Sequence, residues 1–167
     1  VLIIDWYLAH EEWMDHVTSG NYQKYYEEMY KNKAEVRGMK FFVTGVNGQL
    51  GHDVMNELNK RGHEGVGSGI AGAYAGVADG SAVTTMPYVG LDITDKEAVL
   101  KVISEIKPDA VIHCAAWTAV DMAEDDDKVE KVRAVNAGGT QNIADACKAI
   151  DCKMLYLSTD YVFDGQG

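Results

Sequence analysis

Positive charge is scarce in this chain. Its 15 Lys and Arg residues face 26 Asp and Glu residues, for a formal net charge of −11. Nucleic-acid binding needs clustered cations to neutralise phosphates, and an anionic membrane surface asks for the same. The composition argues against both partners. Long apolar runs are missing too: no stretch approaches the roughly 20 residues of a membrane span. Residues 1–4 are apolar, but Asp5 closes the run before it reaches the length of a signal-peptide core, so the expected location is cytoplasmic. Cysteine is limited to Cys114, Cys147 and Cys152, an odd set without C-x2-C spacing, which reads as reduced, mostly buried thiols. No His or Cys pair stands at a recognised ligand spacing, so no metal site is expected. His113 lies inside the apolar run 110–116 and reads as a core or sheet-end residue.

What is present is ordinary globular material. The 167 residues are 47% hydrophobic and 25% charged, enough for one domain with a real core. From Met39 onward, strand and helix patterns alternate, the signature of an α/β fold with a parallel sheet. Strands are expected at 39–44, 64–67, 88–93, 110–116 and 153–158. A helix is expected over 49–61. A second should begin at Thr94, with Glu97 completing a capping box, bury Val99, Val102, Ile103 and Ile106, and stop at Lys107-Pro108-Asp109. A third should start in the acidic run 124–127, read as a solvated helix start, and continue through Val132 and Val135 to Asn136. Gly138-Gly139-Thr140 interrupts its pattern before Ile143, Ala146 and Ile150 resume it. Residues 69–90, rich in Gly, Ala and Ser, read as a long surface loop of the kind that is often functional or mobile. The expected architecture is a Rossmann-like, doubly wound parallel sheet of about five strands.

Residues 1–38 are different in kind. Trp6, Tyr7, Trp13, Tyr22, Tyr25, Tyr26 and Tyr30 stand among many charges. Ile4, Tyr7 and Leu8 fall at helical spacing, and residues 22–33 read as a second amphipathic helix. The segment is expected to form a small helical, aromatic-rich tail and linker.

The first strand pattern runs into Thr44-Gly45-Val46-Asn47-Gly48-Gln49-Leu50-Gly51. Strand, glycine turn and helix together make a phosphate cradle. Gly45 permits the sharp turn, Gly48 lets a pyrophosphate approach the backbone, and Gly51 lets the helix pack closely on the sheet. The unpaired N–H groups of the first helical turn, aligned with the helix dipole, favour a bound anion. The small residues Ala115 and Ala116 end the fourth strand and leave room for a flat ligand at the sheet's carboxyl edge. The fifth strand delivers Ser158-Thr159-Asp160-Tyr161 to that edge.

The spacing Thr-Gly-x2-Gly-x2-Gly resembles the fingerprint of extended short-chain dehydrogenases/reductases. Two further stretches narrow the likeness. His113-Cys114-Ala115-Ala116-Trp117-Thr118-Ala119-Val120-Asp121, with Glu124, and Ser158-Thr159-Asp160-Tyr161-Val162-Phe163-Asp164-Gly165 make residues 39–167 similar to the N-terminal half of the dTDP-4-dehydrorhamnose reductases. That family reduces the C4 ketone of dTDP-4-dehydro-L-rhamnose to dTDP-L-rhamnose with NADPH or NADH. The resemblance implies a dTDP-sugar substrate. It implies Gly48, Gln49 and Leu50 on the pyrophosphate, Asp92 and Ile93 beside the adenine, and Ala115, Ala116, Trp117 and Thr118 along the dinucleotide cleft. It implies Thr159 as the catalytic hydroxyl, Asp160 beside the substrate, and Asn136 as the helix asparagine that supports the site. Residues 1–33 resemble the C-terminal tail of dTDP-glucose 4,6-dehydratases, through Ile4-Asp5-Trp6-Tyr7-Leu8 and Ser19-Gly20-Asn21-Tyr22.

Two departures from the family stand out. The family's proton donor is a Tyr with a Lys four residues later, and none of the nine tyrosines here has Lys at that position. In the family this pair lies beyond the point where this sequence stops. The expected activity is therefore dinucleotide binding without turnover. The second departure concerns the cofactor: Gly67-Ser68-Gly69 carries neither the carboxylate that favours NAD nor an arginine that favours NADP. The absent initiator Met and the start-like Met39 suggest a fragment or a fusion. The competing expectation is a non-catalytic interaction or regulatory module that keeps the fold, with residues 1–38 as its docking element. A homodimer or another rhamnose-pathway enzyme would be its partner.

Overall fold

The computed structural model describes residues 38–76, 87–119, 125 and 127–159. They belong to one compact unit, Gly38–Gly167. The helices expected in residues 1–38 lie outside the described residues. So do the start of the acidic run and residues 77–86 of the long loop.

Five strands form one sheet: β1 (Lys40–Thr44), β2 (Glu64–Gly69), β3 (Tyr88–Gly90), β4 (Ala110–His113) and β5 (Lys153–Tyr156). Their spatial order is β3-β2-β1-β4-β5, and every neighbouring pair is parallel. The order of winding reverses between β1 and β4, the switch point where ligands lodge in doubly wound folds. The helices are α1 (Gln49–Lys60), α2 (Lys96–Ile106), α3 (Val129–Arg133) and α4 (Thr140–Ala149), with a π-helical turn, Ala134–Gly139, joining α3 to α4.

Alternation along β1 divides the core in two. Phe42 faces a cluster with Val66, Val111, Val99, Ile103 and Ile143, beneath α2 and α4. Val43 faces Val46, Met55 and Leu58, beneath α1. Each cluster buries one face of the sheet, which is why the strands read as near-continuous apolar runs. Leu155 and Tyr156 on edge strand β5 remain exposed.

Two local expectations, the Thr94 cap and the strand ends, are corrected. Thr94 does not cap α2. Its N–H and hydroxyl both donate to the Asp92 Oδ1, at 2.9 and 2.8 Å, and Asp95 takes the cap by accepting from the Ala98 N–H at 3.0 Å. The short polar turn at Asp92 captures Thr94 first and shifts the helix start by one residue. The interruption expected at Gly138-Gly139-Thr140 is a π turn, which carries the chain from α3 into α4 without a break. The strands also end early. β4 stops at His113 and β3 at Gly90, since the following backbone turns over the sheet's edge instead of pairing.

The three cysteines are free thiols, and burial pushes Cys147 up to about 12. Among the described residues, no helix is long and apolar enough to cross a membrane, and no group of three His, Cys, Asp or Glu side chains could hold a metal ion.

Ile103 is fully buried between α2 and the sheet. Ile103→Ala is expected to lower unfolding free energy by about 2–5 kcal/mol, read from urea denaturation. A loss within experimental error would place α2 off the core.

Candidate functional site

The site is built where β1 turns into α1. Gly45 adopts φ +73, and a Cβ there would stand 2.7 Å from the Ala115 backbone nitrogen. Both the left-handed backbone and the close approach therefore require glycine. The Gly48 N–H donates to the Gly45 carbonyl at 3.0 Å, closing the turn, and the His52 N–H donates to the Gly48 carbonyl at 3.1 Å, opening the helix. Gly48 is the N-cap and offers no side-chain cap. The first-turn donors of α1 are thus left for a ligand. A Cβ on Gly51 would run into the Gly45 carbonyl, so glycine here sets how closely α1 packs.

A cavity of about 700 Å³ opens at this turn and crosses the β1/β4 switch point. Gly45, Gly48, Gln49, Leu50 and Gly51 form one wall. Asp92 and Ile93, past β3, and Ala115, Ala116, Trp117 and Thr118, past β4, line it as well. Thr159 is exposed just past β5 and does not line this cavity. Asp160 lies outside the described residues.

The Ala115–Thr118 wall is held by a buried polar row. Register places Ser68, Thr44, His113 and Tyr156 side by side on β2, β1, β4 and β5. Thr44, Ser68 and His113 are almost completely buried. The Thr140 hydroxyl donates to the Asn136 carbonyl at 2.8 Å, so its oxygen is left to accept from His113 Nε2–H at 3.1 Å. His113 Nδ1 is then the acceptor for the Thr44 hydroxyl at 2.7 Å. The Thr44 oxygen in turn accepts the Ala115 N–H at 3.1 Å. The hydrogen bonds from Ala115 through Thr44, His113 and Thr140 to Asn136 are all satisfied only with His113 neutral and protonated on Nε2. Burial drives its pKa down to about 4, in the same sense.

The π turn completes the wall. It carries Asn136, whose Oδ1 accepts the Trp117 N–H at 2.7 Å and whose Nδ2 donates to the Trp117 carbonyl at 3.2 Å. One amide thus pins both main-chain polar groups of Trp117. The π turn also seats Gly139 against Ile93, where a Cβ would meet the Ile93 Cδ1 at 2.5 Å. Lys131 extends over Trp117, its Nζ 5.6 Å from the ring centroid. The hydrogen bonds from Thr94 hold the Asp92 carboxyl below the usual range, with a smaller contribution from Lys131.

Among the cavity-lining residues that the sequence reading did not assign to the cleft are Asn47, Ser68 and Lys131. Asn47 occupies a free position of the glycine spacing. Ser68 sat in a stretch noted only for missing charges. Lys131 follows an acidic run, and nothing in the helical period marks it as facing a ligand.

A doubly wound parallel sheet with a glycine turn opening into a cleft at its switch point defines a dinucleotide-fold α/β domain. Residues 39–167 match the sequence profile of the RmlD substrate binding domain, and the chain belongs to that family. The dTDP-4-dehydrorhamnose reductase of Streptomyces griseus is 39% identical over 128 residues, which are 77% of this chain and 36% of that protein. Among solved structures, a dTDP-4-dehydrorhamnose reductase from Bacillus anthracis in complex with NADP is similar, with 33% identity and a TM-score of 0.60 over 80% of this chain and 41% of that one. The Bordetella bronchiseptica enzyme WbmH in complex with NAD+ aligns with 26% identity and a TM-score of 0.63 over 78% of this chain and 42% of that one. The chain spans little more than a third of the length of its Streptomyces relative.

The depressed pKa of His113 has a consequence for acid stability. An unfolded histidine titrates near 6.5, whereas the folded one titrates near 4. As pH falls, the unfolded chain takes the proton first. Stability is therefore lost from about pH 6.5 downward, and the loss is complete below about pH 4, to a total of up to about 3 kcal/mol. His113→Gln removes the titration, so its stability–pH curve should be flatter over that window. Parallel curves for the two proteins would show that His113 stays accessible to protons in the fold.

Proposed function

We propose that this chain is the cofactor-binding half of an NAD(P)H-dependent reductase acting on the C4 ketone of dTDP-4-dehydro-L-rhamnose. One observation carries the reading. The nine residues that sequence resemblance assigns to the dinucleotide, with Gly45 and Gly51 of the glycine turn, all line one continuous cavity. The residues present fit the group. The α1 N-terminus has open donors for a pyrophosphate, and two buried polar atoms facing the cleft, Asn47 Oδ1 and Ser68 Oγ, lack protein partners. The family membership and the named activity of the Streptomyces relative supply the substrate class.

In this reading the cofactor supplies hydride to the ketone carbon, and a proton completes the alcohol. The chain's own residues bind and orient. Gln49 and Leu50 hold the pyrophosphate by backbone N–H groups, whose value as anion contacts comes from their fixed direction, and Gly48, whose own N–H closes the turn, lets it approach the backbone. Asp92 and Ile93 close the adenine end. The Ala115–Thr118 wall, pinned by Asn136 and the Thr44–His113–Thr140 row, keeps the cleft narrow and dry. Thr159 donates a hydrogen bond to the ketone oxygen as it gains negative charge, with Asp160 beside the sugar. A proton donor of the Tyr-x3-Lys type is not among these 167 residues, so the chain alone binds without turning over.

Millimolar NADH or NADPH is expected to raise the melting temperature of the chain, because a ligand bound only by the folded state stabilises it. Neither should be oxidised when the dTDP-sugar is added. Unchanged melting with both cofactors would refute dinucleotide binding, and steady cofactor oxidation would refute the missing-donor account.

A further inference from the structure

The turn that brings Asp92 and Ile93 to the cleft is held by a residue outside the cleft. Asp92 organises the turn internally. Its Oδ1 accepts the Thr94 N–H and hydroxyl at 2.9 and 2.8 Å, and its carbonyl accepts the Asp95 N–H at 3.1 Å. Residues 92–95 therefore behave as one unit. Ile93 and Thr94 stand after β3 and before α2, so their carbonyls belong to neither the sheet nor the helix ladder. Both accept from Asn142 Nδ2, at 2.9 and 3.2 Å. Asn142 lies on α4, 49 positions beyond Ile93, and it does not line the cavity.

Two other contacts join the same elements. Gly139 packs on the Ile93 side chain, where a Cβ would meet the Cδ1 at 2.5 Å. The Lys96–Asp145 ion pair links α2 to α4 at 2.8 Å through exposed side chains, where screening leaves it weak. Of these three ties, only Asn142 bonds to the backbone of the turn itself. A turn so held presents the Asp92 carboxylate, which lines the cavity, in one position. Thr94 occupies Oδ1, so Oδ2 is the acceptor left for a ligand. An ionised carboxylate only accepts. It suits the exocyclic amine of adenine and repels a carbonyl oxygen in the same place. A contact group already in position also costs less to order on binding.

Resting on the dinucleotide reading above, we propose that Asn142 is a positioning residue for recognition of the adenine base. By holding the Ile93 and Thr94 carbonyls it fixes the turn that aims Asp92 at the amino group of the base. Asn142 acts through Asp92 and touches no part of the cofactor.

The test compares NADH with its hypoxanthine analogue, in which a carbonyl oxygen replaces the amino group of the base, by calorimetric titration of the whole chain. The unaltered chain is expected to bind NADH several-fold tighter. Asn142→Asp keeps the size of the side chain and sets a carboxylate oxygen against the two carbonyls. It should bring the two affinities nearly together by weakening NADH. Asn142→Ser, whose hydroxyl is too short to reach both carbonyls, should narrow the preference as well, so the outcome does not hang on the folding of one variant. Asp145→Asn removes the exposed ion pair alone and should keep the preference in full. A preference unchanged in the Asn142 variants overturns the inference, and so does equal weakening of both ligands. A preference narrowed as much by Asp145→Asn, or absent from the unaltered chain, also overturns it. In each of these cases NADH still binds, and the dinucleotide reading stands. Binding of neither ligand by the unaltered chain overturns that reading and this inference with it.

Discussion

The Thr44 hydroxyl is the point on which the cleft depends. It stands at the carboxyl end of the central strand, fully buried, and it bonds to β4 through His113 and to the loop beyond through the Ala115 N–H. One residue later the chain must turn out of the sheet, and it does so at Gly45, against the same Ala115 backbone. The junction between β1 and β4 is therefore fixed by a hydrogen bond and by a contact that admits no side chain. The helix beyond is drawn into the same junction, since Thr140 and Asn136 bond to His113 and Trp117. Polar groups this deep stabilise a fold only when all are satisfied, and here the row from Ala115 to Asn136 closes without a gap.

Much of the architecture was legible in the sequence. Five apolar runs separated by helical periods specified the strand count and the α/β class, and the glycine spacing located the turn that opens the cleft. The part of the cleft lined by Ala115 and Ala116 was legible through their small size, which marks a place where something flat can lie. His113 read correctly as a buried sheet-end residue, but its tautomer and its role as a bridge between Thr44 and Thr140 were hidden. Those depend on strand register, which pairs residues 69 positions apart and leaves no trace in local pattern.

The interruption of the helical pattern at Gly138 and Gly139 and the misplaced cap at Thr94 have physical causes. The first reflects the low helix propensity of glycine. A π turn at that point brings Gly139 against Ile93 and aims Asn136 at Trp117, and tertiary packing outweighs the local cost. Thr94 looked like a cap because Glu97 follows at the right spacing, yet the Asp92 carboxylate reaches Thr94 first. Asn47 and Ser68 were invisible as contacts because their meaning lies in what they lack. An unpartnered buried oxygen can be recognised only once the neighbouring strand and turn are in place.

The central claim is that the glycine turn, the Asp92–Ile93 end and the Ala115–Thr118 wall form one dinucleotide site. The most direct measurement is the map of backbone amide shifts in a two-dimensional NMR spectrum as NADH is added. The account predicts that the largest changes fall on residues 45–51, 92–93 and 115–118 together, with the core of α2 unmoved. Changes confined to one of those segments, or centred on residues outside the cleft, would contradict it.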